Sequence, residues 1–325
     1  MQNKIIQIER FGDSDVLNFV DVAIPKPQPN EVLIKHESIG LNFIDIYFRS
    51  GLYPISLPSG LGCEGAGLVI ACGSSVKKFS EGDRVAYCSP PPLDGYAQYR
   101  VIDSKYLVII PNSINFETAS AVMLKGLTSW YLLRETYPVQ PGETIVVYAA
   151  AGGVGSLMVQ WAKHLGVKVV GIVGNTDKAK RVIELGCDYV LISGQDLSNQ
   201  VKELTSGKGV SVVYDSVGKD TLNDSLKMLS PRGLLVSFGN ASGPVTNFSI
   251  GDLAKHGSLF LTRPTLWTYI ADPESLDRGA AELFELIERE IINVTIGQRY
   301  QLAEAKTAHE DLQARKTHGC TVLIP

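Results

Sequence analysis

One stretch constrains this chain more than any other: Glu143-Thr144-Ile145-Val146-Val147-Tyr148-Ala149, continuing into Ala150-Ala151-Gly152-Gly153-Val154-Gly155. The run from Ile145 shows no polar alternation, as expected of a strand buried on both faces. After the glycines, Val154, Leu157, Met158, Trp161, Ala162 and Leu165 recur at i, i+3, i+4, i+7, i+8 and i+11, the pattern of a helix buried on one face. Gly166 stands where a glycine ends such a helix, and Val167–Val173 reads as the next apolar strand. Strand, loop, helix and strand in this order imply a parallel sheet covered by helices. Read as GxGxxG, the loop has Ala150 at its first position, then Gly152 and Gly155. Gly152 lets backbone N–H groups approach a pyrophosphate, Gly155 lets the helix lie close to the strand, and the helix N-terminus favours negative charge. A tight βα turn without a ligand also uses glycine, but the agreement of all four elements favours dinucleotide binding.

The second strand refines this. A site for NAD carries Asp or Glu near its tip, on the ribose 2′-hydroxyl. Here the tip reads Val173-Gly174-Asn175-Thr176-Asp177-Lys178, with no acid at Gly174. Lys178 and Arg181 fall in the next helical turn and can meet a 2′-phosphate, although Asp177 weakens their field. The expected cofactor is NADPH. Thr176 is expected to cap a helix running to Gly186. Further alternations follow: a strand over Val210–Tyr214, a helix over Asp220–Leu229, then strands over Leu234–Phe238 and Ser258–Thr262. A helix over Ala121–Leu133 precedes the set. The fold class is therefore α/β, with a doubly wound parallel sheet.

The flanks differ. In residues 1–125, short β-branched runs alternate with Gly and Pro turns, as in Val32-Leu33-Ile34-Lys35 and Gly67-Leu68-Val69-Ile70-Ala71, which points to a small β-barrel. Past Arg263 come one long helix, Ser275–Glu290, and an apolar strand, Cys320–Ile324, in a composition closer to the first region. A length of 325 residues fits two domains. With 30 Lys+Arg against 34 Asp+Glu, no basic excess marks a nucleic-acid binder. No run approaches the ~18 apolar residues of a membrane span. The first residues, MQNKIIQIERFGDSDV, do not read as a signal peptide. Five Cys without a CxxC pair fit reduced thiols in a cytoplasmic protein.

Several stretches together resemble a known family over essentially the whole length. They are Gly40-Leu41-Asn42-Phe43-Ile44-Asp45-Ile46-Tyr47 with Arg49-Ser50-Gly51-Leu52-Tyr53-Pro54, Leu124-Lys125-Gly126-Leu127-Thr128, Ala149–Gly155, Val213–Gly218, Val236–Asn240 and Thr262-Arg263-Pro264. The chain is similar to the zinc-free, zeta-crystallin-like NADPH:quinone oxidoreductases of the medium-chain dehydrogenase/reductase superfamily. The resemblance implies a GroES-like β-barrel catalytic domain from residues 1–125 and 263–325, around a Rossmann domain at 126–262. It implies NADPH contacts from Gly152, Gly153, Val154 and Gly155 at the pyrophosphate, and from Gly174, Asn175, Thr176 and Lys178 near the 2′-phosphate. Phe238, Gly239, Asn240, Pro264, Thr265 and Leu266 are implied at the nicotinamide half. Asn42, Phe43, Ile44, Asp45, Tyr47, Thr128 and Tyr131 are implied to line the same site, and Arg315 the phosphate end. Where relatives carry a tyrosine after the third strand, this chain has Ser193, which donates a hydrogen bond but cannot stack.

Zinc-dependent relatives hold a Cys at the position of Asn42 and a His just after Gly62, where this chain has Cys63 followed by Glu64. No metal is expected, and Cys63 reads as a small buried thiol. Of the five His, none forms an HxH or HxxxH pair, His164 lies near a helix end, and the others read as exposed or incidental. Without a Lewis acid, the expected reaction is hydride transfer to an already electrophilic small molecule, a quinone or an enone. Asn42, Tyr47 and Tyr53 are the candidate catalytic donors or positioners of the acceptor oxygen, although the tyrosines could equally be packing residues. An enone or 2-alkenal reductase on the same fold is the alternative enzyme. A non-enzymatic NADPH-binding protein, crystallin-like or RNA-binding as some relatives are, is the alternative outside enzymology. The apolar Ser258–Thr262 edge and the resemblance together imply a homodimer.

Overall fold

The apolar runs pair as parallel strands. The computed structural model describes residues 2–325, which divide into two compact units. One unit comprises Thr128–Thr268 and Ile291–Asn293; the other runs to Leu127 and takes up Tyr269–Glu290 and Val294–Pro325.

In the first of these, among the described residues, a six-stranded sheet runs in the order Tyr189–Ile192, Lys168–Val173, Thr144–Tyr148, Val210–Asp215, Leu229–Ser237, Phe260–Thr262. All its ladders are parallel. The strand order reverses at Thr144–Tyr148, so the loop after that strand sits at the topological switch point, where ligands of doubly wound sheets bind. Val146, Val170, Val213 and Leu235 are fully buried in the sheet's core. The helix Gly153–His164 turns Leu157, Met158, Trp161 and Ala162 inward, as its periodicity requires.

The other unit is antiparallel for the most part. A seven-stranded sheet runs in the order Ile296–Gln301, Cys320–Ile324, Glu31–Leu41, Glu64–Cys72, Arg84–Cys88, Leu107–Ile109, with Tyr99–Asp103 also on Glu31–Leu41. The C-terminal strand thus joins the N-terminal region, with Val322 opposite Gly40. A smaller sheet of Gln2–Ile8, Asn18–Ala23 and Ser59–Gly60 adds strands that the sequence pattern does not mark.

Element ends differ from expectation where side chains cap them. The first helix of the pattern spans Phe116–Tyr131 rather than 121–133, because Asn115 Oδ1 accepts the Thr118 N–H at 2.7 Å and starts it earlier. Its end loosens into a π-turn, Leu132–Thr136. Asn175, not Thr176, caps the helix Thr176–Glu184, its Oδ1 accepting the Lys178 N–H at 2.9 Å. The long C-terminal helix is Pro273–Glu288, started by Asp272, which accepts the Ser275 N–H at 2.8 Å. The helix expected at Asp220–Leu229 is the shorter Leu222–Met228, and the last parallel strand begins at Phe260.

Candidate active site

The glycine loop follows the strand Thr144–Tyr148 directly and opens the helix Gly153–His164, with Gly152 at the cap position. Ala149 takes φ +51 to make the turn, and Gly152 N–H closes it on the Ala149 carbonyl at 2.8 Å. Gly155 is required by contact: a Cβ there would run into the Ala149 carbonyl oxygen and stand 2.7 Å from Ala150 Cα. Helix and strand therefore meet as closely as a phosphate-binding turn demands. Ser129 Oγ bonds the Val154 carbonyl at 3.3 Å, fixing the buried Thr128–Tyr131 turn beside the loop.

Gly174, Asn175 and Thr176 are exposed at the tip of the adjacent strand, with Lys178 half-buried after them. Ser193 N–H bonds the Val173 carbonyl at 2.7 Å, so Ser193 and Gly174 end neighbouring strands. Nothing stands within 4 Å of a Cβ built on Gly174. An acid would fit there, so its absence is a chemical choice rather than a steric one. These residues fit a 2′-phosphorylated dinucleotide: open space, a serine hydroxyl and a lysine, with no carboxylate at the strand tip.

At the end of Leu229–Ser237, Phe238, Gly239 and Asn240 are half-buried. Arg263 Nη1 donates to the Ser237 carbonyl at 2.7 Å, and the Asn240 carboxamide, with its nitrogen on the Gly239 carbonyl, accepts from Arg263 Nη2 at 3.1 Å. Arg263 leads into Pro264, Thr265 and the buried Leu266, so the implied nicotinamide segments come together. Asp215, in the Val213–Gly218 motif, accepts the Val217 and Gly218 N–H groups at 2.8 and 3.1 Å and the Thr221 and Ser225 hydroxyls at 2.7 and 2.9 Å. It shapes that turn from within.

The remaining candidates lie in the other unit. Tyr47 and Tyr53 are half-buried edge to face, ring centroids 5.2 Å apart, and Phe43 stands 5.7 Å from Tyr47. Asn42 caps the helix Phe43–Ser50, which also carries the half-buried Ile44. Its main-chain N–H donates to Asp45 Oδ2 at 2.8 Å and its Nδ2 to Glu64 Oε1 at 2.7 Å. Glu64 is closed off by Lys125 Nζ at 2.9 Å and by the Leu124 N–H at 2.6 Å. Burial works against the Lys125 charge, but Glu64, together with Cys320 and Asp45, more than offsets it, and the ammonium is held above its usual range. Arg315 is exposed, with φ +58, just past the helix Ala305–Gln313.

Asp45 is buried, with Oδ1 unpartnered, and that burial raises its carboxyl to about 7 against the Asn42 N–H and Tyr96 O–H bonds. Tyr96 Oη lies 3.0 Å from Asp45 Oδ2 and 3.1 Å from His309 Nε2, and Arg49 Nη1 lies 3.2 Å from His309 Nδ1. Arg49 can only donate, so His309 Nδ1 accepts, Nε2–H donates to Tyr96, and Tyr96 O–H donates to Asp45. His309, expected to be incidental, is thus a buried neutral link, lowered to about 3 by burial and by Arg49. His36 is buried likewise: Nδ1–H donates to the Ala97 carbonyl at 2.7 Å, and Tyr87 O–H donates to Nε2 at 2.9 Å. Glu64, Lys125, Tyr96 and His309 are the polar residues that sequence reasoning left without a role.

Cys63 is fully buried, and burial, then the Asp45 charge, pushes its thiol well up. All five cysteines are free. Among the described residues no group of three or more His, Cys, Asp or Glu is gathered as a metal site, and no helix is long and apolar enough to cross a membrane.

Comparison with known proteins agrees with this architecture. Residues 28–112 match the alcohol dehydrogenase GroES-like domain, and residues 153–265 the zinc-binding dehydrogenase family. A quinone oxidoreductase of Pseudomonas aeruginosa is 53% identical over 324 residues, covering 99% of each chain. A 2-haloacrylate reductase of a Burkholderia species is 39% identical, covering 98% of each. The crystal structure of the Escherichia coli quinone oxidoreductase complexed with NADPH superposes with a TM-score of 0.97 at 46% identity, covering 99% of this chain and all of that one. With identity of that order along its full length, the chain belongs to the quinone oxidoreductase family of the medium-chain dehydrogenase/reductase superfamily.

Proposed function

We propose that this protein reduces quinones with NADPH by hydride transfer, as a cytoplasmic homodimer and without a metal. The observation that carries the reading is the nucleotide turn: Gly155 pressed onto Ala149 and Ala150, beside an acid-free strand tip at Gly174 flanked by Lys178 and Ser193. The quinone oxidoreductases among its relatives support the acceptor class.

When bound, NADPH supplies the hydride. The chain's own residues bind and orient. Main-chain N–H groups of Gly152–Gly155 and the N-terminus of the helix Gly153–His164 hold the pyrophosphate. Lys178 makes a charge-assisted contact to the 2′-phosphate, and Ser193 donates a hydrogen bond beside it. Phe238–Asn240, fixed by Arg263, and Pro264–Leu266 hold the nicotinamide half. Hydride addition to a quinone leaves negative charge on its oxygen, so a hydroxyl aimed there acts mainly in the transition state. Tyr47 and Tyr53 are the donors assigned to that oxygen, and a solvent proton completes the hydroquinone.

The test is NADPH oxidation by the purified protein with 1,4-benzoquinone, set beside a panel of 2-alkenals under one set of conditions. Turnover with the quinone and little with the alkenals is expected. Preference for the alkenals would replace the reading by an alkene reductase, and binding without turnover would replace it by a carrier or structural role.

A further inference from the structure

Asn42 is gripped by two buried carboxylates at once: Asp45 takes its main-chain N–H and Glu64 its side-chain nitrogen. The Glu64 side chain is wholly enclosed, and Lys125 is 6% exposed. The chain makes room for this carboxylate with Gly40, where a Cβ would run into Glu64 Oε1 and the Ser120 carbonyl oxygen. A buried ion pair gains little stability over apolar residues of the same volume, because each ion loses its hydration. What the pair does supply here is direction. The two ends of a carboxamide are nearly the same shape and differ in hydrogen bonding. An anion beside Asn42 forces Nδ2 toward it and turns Oδ1 to the other side, where the carboxamide oxygen faces the Asp45 N–H of the capping box.

We propose that Glu64 and Lys125 are positioning residues, which lock the Asn42 carboxamide in one of its two orientations and so fix which polar atom a bound ligand meets. The proposal rests on the reading that Asn42 contacts NADPH.

Hydrogen-bond accounting separates orientation from charge. In Glu64→Gln, the Lys125 ammonium holds the new amide oxygen at the Oε1 position, so Asn42 Nδ2 keeps its acceptor; only the Leu124 N–H loses one. In Glu64→Gln/Lys125→Met, the Leu124 N–H claims that oxygen, the Gln nitrogen faces Asn42, and the Asn42 carboxamide must invert. The double variant buries no ion pair at this site, and its inverted Asn42 turns Nδ2 toward the Asp45 N–H that the carboxamide oxygen faces in the native capping box.

NADPH affinity is measured by fluorescence titration of the intact protein without acceptor, so a failure of the quinone reading would not touch it. Glu64→Gln should melt lower yet bind NADPH within about twofold of the native protein, since its hydrogen bond to Asn42 survives. The double variant should melt higher than Glu64→Gln yet bind about tenfold more weakly, the worth of a misdirected polar contact. In an Asn42→Ala background, the double change should cost less than about twofold, as expected when one residue acts through another. Equal weakening in Glu64→Gln and the double variant, an undiminished effect in the Asn42→Ala background, or an Asn42→Ala variant that binds NADPH normally would each overturn the proposal. Should the double variant fail to fold, Glu64→Gln decides: tenfold weaker binding there would show that charge, not orientation, is what matters.

Discussion

Gly174 and Lys178 are the residues proposed to carry the choice between NADPH and NADH. The space above Gly174 is empty, so Gly174→Asp adds a carboxylate without a clash, directed at the ribose. The variant should lose NADPH affinity and move the kcat/KM ratio toward NADH by about tenfold or more, since a 2′-phosphate then meets a negative charge. Lys178→Ala should raise KM for NADPH and leave NADH unaffected; equal use of both cofactors by the native protein would refute the assignment. Tyr47 is tested separately. If its hydroxyl meets the charge developing on the quinone oxygen, Tyr47→Phe lowers kcat/KM for quinone by up to about tenfold, or ~1.4 kcal/mol, with NADPH affinity unchanged. Single-turnover kinetics with deuterated NADPH distinguish this from mere packing, which predicts faster NADPH loss and an untouched hydride step. At this scale the sequence showed the nucleotide turn and missed the polar core. Gly174 and Lys178 lie within one turn of a legible strand. Asn42, Glu64 and Lys125 are far apart in the chain, and no local period joins them. The available signal was Gly40: a glycine inside a strand marks a close approach, here that of the Glu64 carboxylate.

Elements were legible in proportion to burial. The central parallel strands stand out as apolar runs because both their faces are covered, and the helix Gly153–His164 because it buries one stripe. Ends were less so, since Asn115, Asn175 and Asp272 set them through single side-chain bonds. Two elements invite experiment. Gly155→Ala must push the helix off the strand, which should cost about 1–3 kcal/mol and abolish tight NADPH binding; a variant that melts and binds normally would show the turn to be more pliant than its contacts imply. The strand Phe260–Thr262 is the sheet's edge, and Phe260 is 60% exposed on it. An uncovered apolar edge favours pairing with a second copy about a two-fold axis. Sedimentation should therefore give a dimer for the native chain and a monomer for Phe260→Lys, whereas a native monomer at micromolar concentration would end the homodimer proposal.

Among the described residues, His36, His309 and Asp45 are buried groups whose opposing demands shape the response to acid. His36 and His309 are lowered from 6.5 to about 4 and about 3, in both cases chiefly by burial, with Arg100 and Arg49 respectively adding to it. Between those values and 6.5 the unfolded chain holds a proton on each ring that the folded chain refuses. Stability therefore rises with pH across that window, once for each histidine. Asp45 works the other way. Burial raises it from 3.8 to about 7, so the folded chain keeps a proton there that the unfolded chain has released, and stability falls as pH climbs between those values. Two histidines against one aspartate leave a net gain of roughly one proton, or about 1 kcal/mol per pH unit, from pH 4 to 6.5. The urea midpoint should accordingly fall as the protein is acidified through that window. His309→Gln, which can still bond Tyr96 and Arg49, removes one histidine from the balance, so its stability should depend only weakly on pH there. Asp45→Asn removes the opposing group and should steepen the acid limb. Because each variant is compared with the native chain, the exposed carboxylates cancel. Parallel curves for all three proteins would mean that the chain from Arg49 through His309 and Tyr96 to Asp45 does not carry protons in the states assigned to it.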